Sequence, residues 1–495
     1  MKRHVALVSA ISFALVLAVT SCGSGQQSSS ARQQPSGTLH VRSCTVDNLP
    51  ARCGTLFVPE DRLTGKGRTI PIRFVVLGAF GRHRLPDPIV DFAGGPGGSA
   101  VSDDIPLVSA ELTGLIVSRD LVFIDQRGTG GSNGLRCPSP PPTLASRVKV
   151  RRSIEACLAG LRGKADLQFY TSKMAAEDVA QVLTALHYRK VNLFGASYGA
   201  TEAQVFQRLF PARVRTMTLL SGSFLDIPMV ERFPQASQQA LDQLFARCAS
   251  DRVCSVNFPH LAADWAKLLA AKWVNRATID DGVHGILMSA DTTAYLPLAI
   301  RSLLATQGHR AALDALERQM VNVGLTPGPG GQVAQPVIGY PIGCAEPWAR
   351  ATAPGITDPA SYYYQDSVLS AQWWQYVCTL IPASRAASDY GPPRASHIPV
   401  LMINGTADPQ DPPVNMAGAR QIWPNSREAA EPGQSHSVDI NAWTQCGAAL
   451  VRTFVETASV KGLDTGCLAQ VRLPSFAVSW GTGLSEPVPK GLARD

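Results

Sequence analysis

Between residues 69 and 220 the apolar positions alternate between short runs and segments of helical period. Thr69–Leu77, Pro88–Phe92 and Leu121–Ile124 read as strands. From Ala175 to His187, apolar residues at 179, 182, 183 and 186 mark one stripe of a helix. Val191–Phe194 is an apolar run followed by Gly195-Ala196-Ser197-Tyr198-Gly199, a helix to Phe210 and a strand over Val214–Leu220. Strand and helix in regular alternation predict an α/β fold, a mostly parallel sheet with helices on both faces.

The alternation stops near Phe224. Residues 224–395 carry helical patterns broken by Pro/Gly loops such as Thr326–Gln335. A short apolar strand resumes over Ile398–Ile403, and a last helix is expected at about Asp439–Glu456. The simplest organisation is one sheet interrupted by a helical lid: core over 39–223, lid over 224–395, core again over 396–495. A separate second domain would leave the 398–403 strand without partners. No internal repeat is present.

The N-terminus has another character. Lys2-Arg3 precede an apolar stretch from Val5 to Val19 and then Thr20-Ser21-Cys22, the layout of a secretory signal too short for a confident membrane span. A Cys directly after Val-Thr-Ser looks like a bacterial lipobox, which implies cleavage of residues 1–21 and lipidation of Cys22. The competing reading is an ordinary signal peptide cut near Ser21. The Ser/Gln/Gly-rich stretch that follows, within 22–38, reads as a flexible tether. The expected location is the outer face of the cell membrane, reached through the N-terminal lipid.

Export changes the meaning of the eleven cysteines. Without Cys22 ten remain, an even number in an oxidising compartment, where disulfides are the default. Ten cysteines allow roughly 900 connectivities. Proximity along the chain suggests Cys44–Cys53, Cys137–Cys157, Cys248–Cys254, Cys344–Cys378 and Cys446–Cys467. Neither Cys-x-x-Cys nor His-Glu-x-x-His spacing occurs, so no metal site is expected, and no motif calls for a cofactor. The formal net charge is +7, but basic residues never run longer than two, which argues against a nucleic-acid groove.

The candidate chemistry starts at Gly195-x-Ser197-x-Gly199, between a predicted strand and a predicted helix. A turn that sharp brings backbone against backbone, so small residues are needed two before and two after the serine. It presents Ser197 at a helix N-terminus, which favours developing negative charge. Gly94-Gly95-Pro96-Gly97-Gly98 ends the Pro88–Phe92 strand, and Gly95 with Tyr198 are the expected oxyanion amides. A phosphate loop is the competing reading, but the glycine spacing is wrong and Pro96 removes a donor. Acid and histidine must follow the serine in that order. Asp408 ends the 398–403 strand's loop, with Asp411 as a rival. Of nine histidines, His436 alone lies beyond that acid. Ser197, Asp408 and His436 are thus the expected catalytic residues, and activity should fall below about pH 6.5, where an unperturbed histidine becomes charged.

Gly94-Gly95-Pro96-Gly97-Gly98, Asp125-Gln-Arg-Gly-Thr-Gly-Gly-Ser132 and Gly195-Ala-Ser-Tyr-Gly199 together resemble the prolyl aminopeptidase family of α/β-hydrolases. More closely, the chain is similar to the secreted tripeptidyl-aminopeptidase branch of actinobacteria, whose mycobacterial members include envelope lipoprotein proteases. The likeness runs from Cys44 to Cys467. It implies that Cys446–Cys467 ties the last helix to the tail and that Cys344–Cys378 braces the lid. It also implies lid carboxylates that grip a substrate's free α-ammonium, and Glu346 in Cys344-Ala345-Glu346 is the matching candidate. The sequence departs from the family pattern at Ala93, where His is usual, and at Asp411, where Thr is usual. Glu202, early in the nucleophile helix, is also unusual; it meets either the substrate cation or the helix N-terminus. Asp125 and Arg127 are expected to hold neighbouring loops. The aromatics Tyr362–Tyr364, Trp373, Trp374 and Tyr376 fit lid packing better than a cleft lining.

Three functions follow: a lipid-anchored monomeric serine exopeptidase acting on free N-termini of peptides or proteins, an envelope esterase or lipase with the same triad, and a peptide-binding lipoprotein without turnover. The intact triad disfavours the third. Glu346, the large lid and the family motifs favour the first.

Overall fold

The computed structural model describes residues 34–112, 114–137, 146–322, 335–346, 364–382, 392–436 and 446–481. The expected signal, Cys22, most of the tether, Tyr362 and Tyr363 lie outside them. Among the described residues no helix is long and apolar enough to cross a membrane.

The strands, in chain order, are β1 (Leu39–Val46), β2 (Leu49–Pro59), β3 (Thr69–Leu77), β4 (Ile89–Phe92), β5 (Leu121–Ile124), β6 (Arg136–Cys137), β7 (Val191–Ala196), β8 (Val214–Leu220), β9 (Gln335–Pro336), β10 (Val400–Gly405) and β11 (Ser426–Glu431). Nine of them form one sheet in the order β1-β2-β3-β5-β4-β7-β8-β10-β11; β6 and β9 pair separately. From β5 to β11 every pairing in the large sheet is parallel, and β1, β2 and β3 join antiparallel. Alternation along the central strands divides the core in two. Val90, Phe92, Val122, Leu219 and Met402 face one apolar cluster, and Ile89, Leu121, Phe123, Leu220 and Leu401 face the other.

Helices α1 (Ile105–Glu111), α2 (Arg147–Leu161), α3 (Ser172–Ala185) and α4 (Tyr198–Leu209) precede β8. The chain between β8 and β10 supplies α5 (Met229–Ser250), α6 (Arg252–Asn257), α7 (Leu261–Ala270), α8 (Arg276–Leu287), α9 (Ala290–Thr293), α10 (Leu296–Thr306), α11 (Arg310–Asn322), α12 (Gly339–Ala345) and α13 (Tyr364–Val377). This helical insertion has two apolar centres. One joins α5, α7, α8 and α10 with Phe476 of the C-terminal tail. The other joins α12 and α13 to α2 and the residues around Cys137. The tail clasps the first centre: the Arg247 guanidinium sits 4.3 Å above the Phe476 ring, and Trp480 stacks on Tyr295. The five cysteine pairs are those suggested by proximity, with Cα–Cα distances from 5.1 to 5.9 Å.

Several elements differ from the sequence reading. The β1–β2 hairpin was not foreseen: β1 is an edge strand with little buried, so its apolar pattern is weak. Its signal is the turn Asp47-Asn48, both at positive φ, the conformation a two-residue hairpin demands. β11 reads Ser-Arg-Glu-Ala-Ala-Glu and was also missed, for it buries one face only. The last described helix is Ala448–Thr457, and the expected start at Asp439 lies outside the described residues.

Candidate active site

The nucleophile turn is fixed by crowding. Ser197 takes φ 54° and ψ −127° between the end of β7 and the start of α4. A Cβ on Gly199 would lie 1.9 Å from the Phe92 carbonyl oxygen, and one on Gly195 would lie 2.3 Å from that of Gly199. No side chain fits at either place, the reason for the Gly-x-Ser-x-Gly spacing. The Gly94–Gly98 loop runs alongside, since a Cβ on Gly94 would come 3.5 Å from Ser197 Cβ. Gly95, next along, holds φ +119°, a conformation other residues rarely adopt. Tyr198 opens α4, so its amide belongs to the end where N–H groups point out of the helix.

Asp408, His436 and Ser197 come together. His436 Nε2 is 2.9 Å from Ser197 Oγ, and its Nδ1 is 3.0 Å from both Asp408 oxygens. Asp408 is fixed by two backbone donors: the amides of Gln410 and Asp411 reach its Oδ1 at 2.8 Å each. The rival Asp411 stands second, its Oδ2 3.6 Å from the same His436 nitrogen. Burial pushes Asp411 up to about 7, with Asp408's charge adding to the rise and His436 and Ser223 opposing it. Burial works against a charged His436, but Asp408's charge and hydrogen bond, with Asp411's charge, outweigh it and raise the ring to about 9. The expected fall in activity below about pH 6.5 therefore moves upward, because two carboxylates face the ring.

Sequence reasoning missed two side chains that act on His436, one by contact and one through charge. Gln410 Nε2 lies 3.1 Å from His436 Nε2, within the same acid loop. His284, from α8, faces Gln410 and His436 and is pushed down to about 4 by burial first and by His436's charge second. Its Nδ1 meets Ser237 Oγ at 2.8 Å. No motif announces a histidine delivered by the lid. With Met229 and Phe233 of α5 beside Ser197, Tyr198, Thr201, Gln410 and Asp411, lid and core close one small cleft over the serine.

Glu202 and Glu346 act electrostatically on each other and on Tyr198. Both are buried, at 3% and 2% exposure. Glu346 accepts from the Ser172 amide and hydroxyl at 2.8 Å each. Ser172 Oγ in turn lies 2.5 Å from the Tyr198 hydroxyl, to which Gln126 Nε2 donates at 2.9 Å. Glu202 Oε1 is buried without a hydrogen-bond partner among the described residues. Burial, then the charge of Glu346 and then that of Asp178 push Glu202 up to about 8. The same burial and the two glutamates hold the Tyr198 phenol neutral, well above its ordinary range. Glu202 thus lies in the field of a second carboxylate.

Asp125 and Arg127 hold loops, as expected. Asp125 receives Ser99 Oγ at 2.6 Å and the Val101 and Gly131 amides at 3.1 and 2.8 Å. Arg127, fully buried, grips Asp178 through two nitrogens at 2.7 and 2.8 Å. Ala93 is buried in the core cluster on one face of the sheet. Trp373 and Trp374 pack edge to face, 5.2 Å apart, with Tyr340 close to both, which is lid packing.

Comparison with known proteins agrees with this architecture. Residues 87–295 match the family described as alpha/beta hydrolase fold, and residues 366–467 match that described as TAP-like protein. Tripeptidyl aminopeptidases of Streptomyces lividans and Streptomyces coelicolor are 29% and 28% identical over 198 residues. That stretch spans 36% of this chain and 36% of each relative. A crystal structure of a proline iminopeptidase from Mycobacterium smegmatis is 15% identical with a TM-score of 0.36, covering 82% of this chain and 98% of its own. The sheet order and the match over residues 87–295 give this chain an α/β-hydrolase fold, and residues 366–467 are similar to TAP-like proteins.

Proposed function

We propose that the protein is a lipid-anchored serine exopeptidase that releases short peptides from the free N-terminus of peptide or protein substrates. The observation that carries the reading is the unbroken hydrogen-bond path from Asp408 through His436 to Ser197. Ser197 Oγ attacks the scissile carbonyl while its proton passes to His436 Nε2. The imidazolium that forms keeps its Nδ1–H on Asp408, and the amides of Gly95 and Tyr198 receive the oxyanion. His436 returns the proton to the departing amine, leaving an acyl ester on Ser197 that water then hydrolyses.

Glu202 and Glu346 give the site its preference for a free amine. The buried Glu202 is costly to ionise beside Glu346, and a terminal ammonium offsets that cost and fixes the substrate relative to Ser197. The resemblance to tripeptidyl aminopeptidases supports this specificity. Residues 1–21 act as the signal, Cys22 as the lipid attachment and 22–38 as the tether, so the monomer works at the outer face of the membrane.

The test compares the mature protein with Ser197→Ala on chromogenic amides of one, two and three residues, free or acetylated at the N-terminus, beside a short-chain ester. Ser197-dependent cleavage confined to free amines is the expected result. Cleavage of the ester alone would make the protein an envelope esterase, and no Ser197-dependent turnover would leave a peptide-binding lipoprotein. Cys22→Ser is expected to release the protein from the membrane fraction; unchanged partitioning would defeat the anchor.

A further inference from the structure

Asp411 has no part in the three-residue path, yet its surroundings aim it at the same atom. Its Oδ2 stands 3.6 Å from His436 Nδ1, only 0.6 Å farther than the oxygens of Asp408. Its side chain is 7% exposed and borders the cleft over Ser197. Three elements hold it there. The Ser223 hydroxyl, just past β8, donates to its Oδ1, and Asn415 Nδ2 fixes that hydroxyl at 2.8 Å. Asn404, in β10, donates to the Asp411 carbonyl at 2.7 Å. A carboxylate placed only to shape the loop would have no need to face a ring nitrogen already served by Asp408.

Building on the serine-hydrolase reading above, we propose that Asp411 is a positioning residue for the reaction: a second acid that stabilises the His436 imidazolium and takes over from Asp408 when that carboxylate is neutralised. The groups that face this assembly are Asp408 and Ser223 from the core and His284 from the lid. His284 is held neutral, so it adds no charge to compete with either acid. His436 Nδ1 lies equally far, 3.0 Å, from the two Asp408 oxygens. A small tilt of the ring brings Asp411 Oδ2 within hydrogen-bond range. Each acid then supplies the same service, fixing the Nδ1–H tautomer and balancing the positive charge formed at proton transfer. Two carboxylates on one imidazole also make a stronger base that needs higher pH to become neutral.

The experiment reads Ser197 directly, through its rate of phosphonylation by a fluorophosphonate. The Oγ–P bond forms, fluoride leaves, and the hydroxyl proton goes to His436. Wild type, Asp408→Asn, Asp411→Asn, the double variant and Ser197→Ala are compared from pH 5 to 10, with thermal melts to establish folding. Asp408→Asn is expected to keep a rate at least tenfold above the double variant, which should label no faster than a surface serine. Asp411→Asn alone should lose less than tenfold at pH 9, and its acid limb should move toward lower pH. If Asp408→Asn falls as low as the double variant, or if the Asp411→Asn limb overlays that of wild type, the second acid is refuted. Asp411→Thr replaces the Asn variant should that one fail to fold. Absence of labelling at Ser197 in wild type would refute the triad itself, an outcome distinct from the others.

Discussion

The acids beside His436 and those beside Tyr198 are built on one plan and differ in what completes them. In each pair one carboxylate is well supplied with donors: Asp408 by two backbone amides and His436, Glu346 by the amide and hydroxyl of Ser172. The other is buried and raised, Asp411 to about 7 and Glu202 to about 8. The first pair faces a resident base that becomes a cation during the reaction. In the second, Glu202 Oε1 has no hydrogen-bond partner among the described residues. An enclosed acid without its counter-charge marks a place where the ligand brings one. Under the proposed function the His436 side serves the chemistry and the Tyr198 side selects the substrate.

The largest effect that would break the comparison is at the serine. Ser197→Ala should lower kcat on the order of 10⁴-fold or more with little change in KM. The check is steady-state kinetics on the best free-amine amide. Next comes substrate selection. Glu202→Gln and Glu346→Gln should each reduce the preference for free over acetylated N-termini by roughly 10- to 100-fold, mainly through KM, because each removes one charge from the ammonium's partner. An unchanged preference in both would leave the Tyr198 pair as buried polar packing.

The two pairs were not equally legible in the sequence. Asp408 and His436 stand at set points of an ordered pattern, after a strand and beyond the acid, and strands buried on every residue such as β10 are easy to read. The elbow was legible because steric crowding leaves glycine as the only answer at 195 and 199. Glu346 was reached through resemblance alone; nothing in its local pattern shows that a distant helix start at Ser172 would hold it. His284 and Ser223 come to the site through tertiary packing between lid, strand end and acid loop, and carry no sequence period. The edge hairpin β1–β2 was lost for a different reason: an exposed strand has no buried face to write an apolar alternation.

The pH dependence sharpens the comparison further. His436 must be neutral to accept the serine proton, and its pair of acids raises it to about 9. The acid limb of kcat/KM should therefore lie well above pH 6.5, with activity still climbing between pH 7 and 9. The free α-amino group of a peptide loses its charge near pH 8, so binding at the Tyr198 pair should weaken over the same range. Free-amine substrates should thus give a narrow optimum, whereas phosphonylation of Ser197 by a fluorophosphonate, which carries no ammonium, should show the rising limb alone. Matching bell-shaped profiles for both reactions would remove the division of labour between the pairs.

The smallest effect concerns stability and bears on Glu202, whose Oε1 has no hydrogen-bond partner among the described residues. Glu202 is raised from its unfolded value near 4.5 to about 8 in the folded protein. The folded state therefore holds a proton that the unfolded chain releases between those two values. That contribution is fully present below about pH 4.5 and is lost as pH rises toward 8, where the buried carboxylate must ionise beside Glu346. Glu202→Gln keeps the shape and removes the ionisation. It should change stability little at pH 5 and raise it at pH 9, by about 1–3 kcal/mol. Denaturant unfolding of both proteins at the two pH values measures the difference. A gain that grows with pH, in the same variant that loses free-amine preference, is what a binding acid kept at the expense of stability requires. Equal stabilities at pH 9 would mean that Glu202 finds its counter-charge inside the folded protein and is not reserved for the substrate.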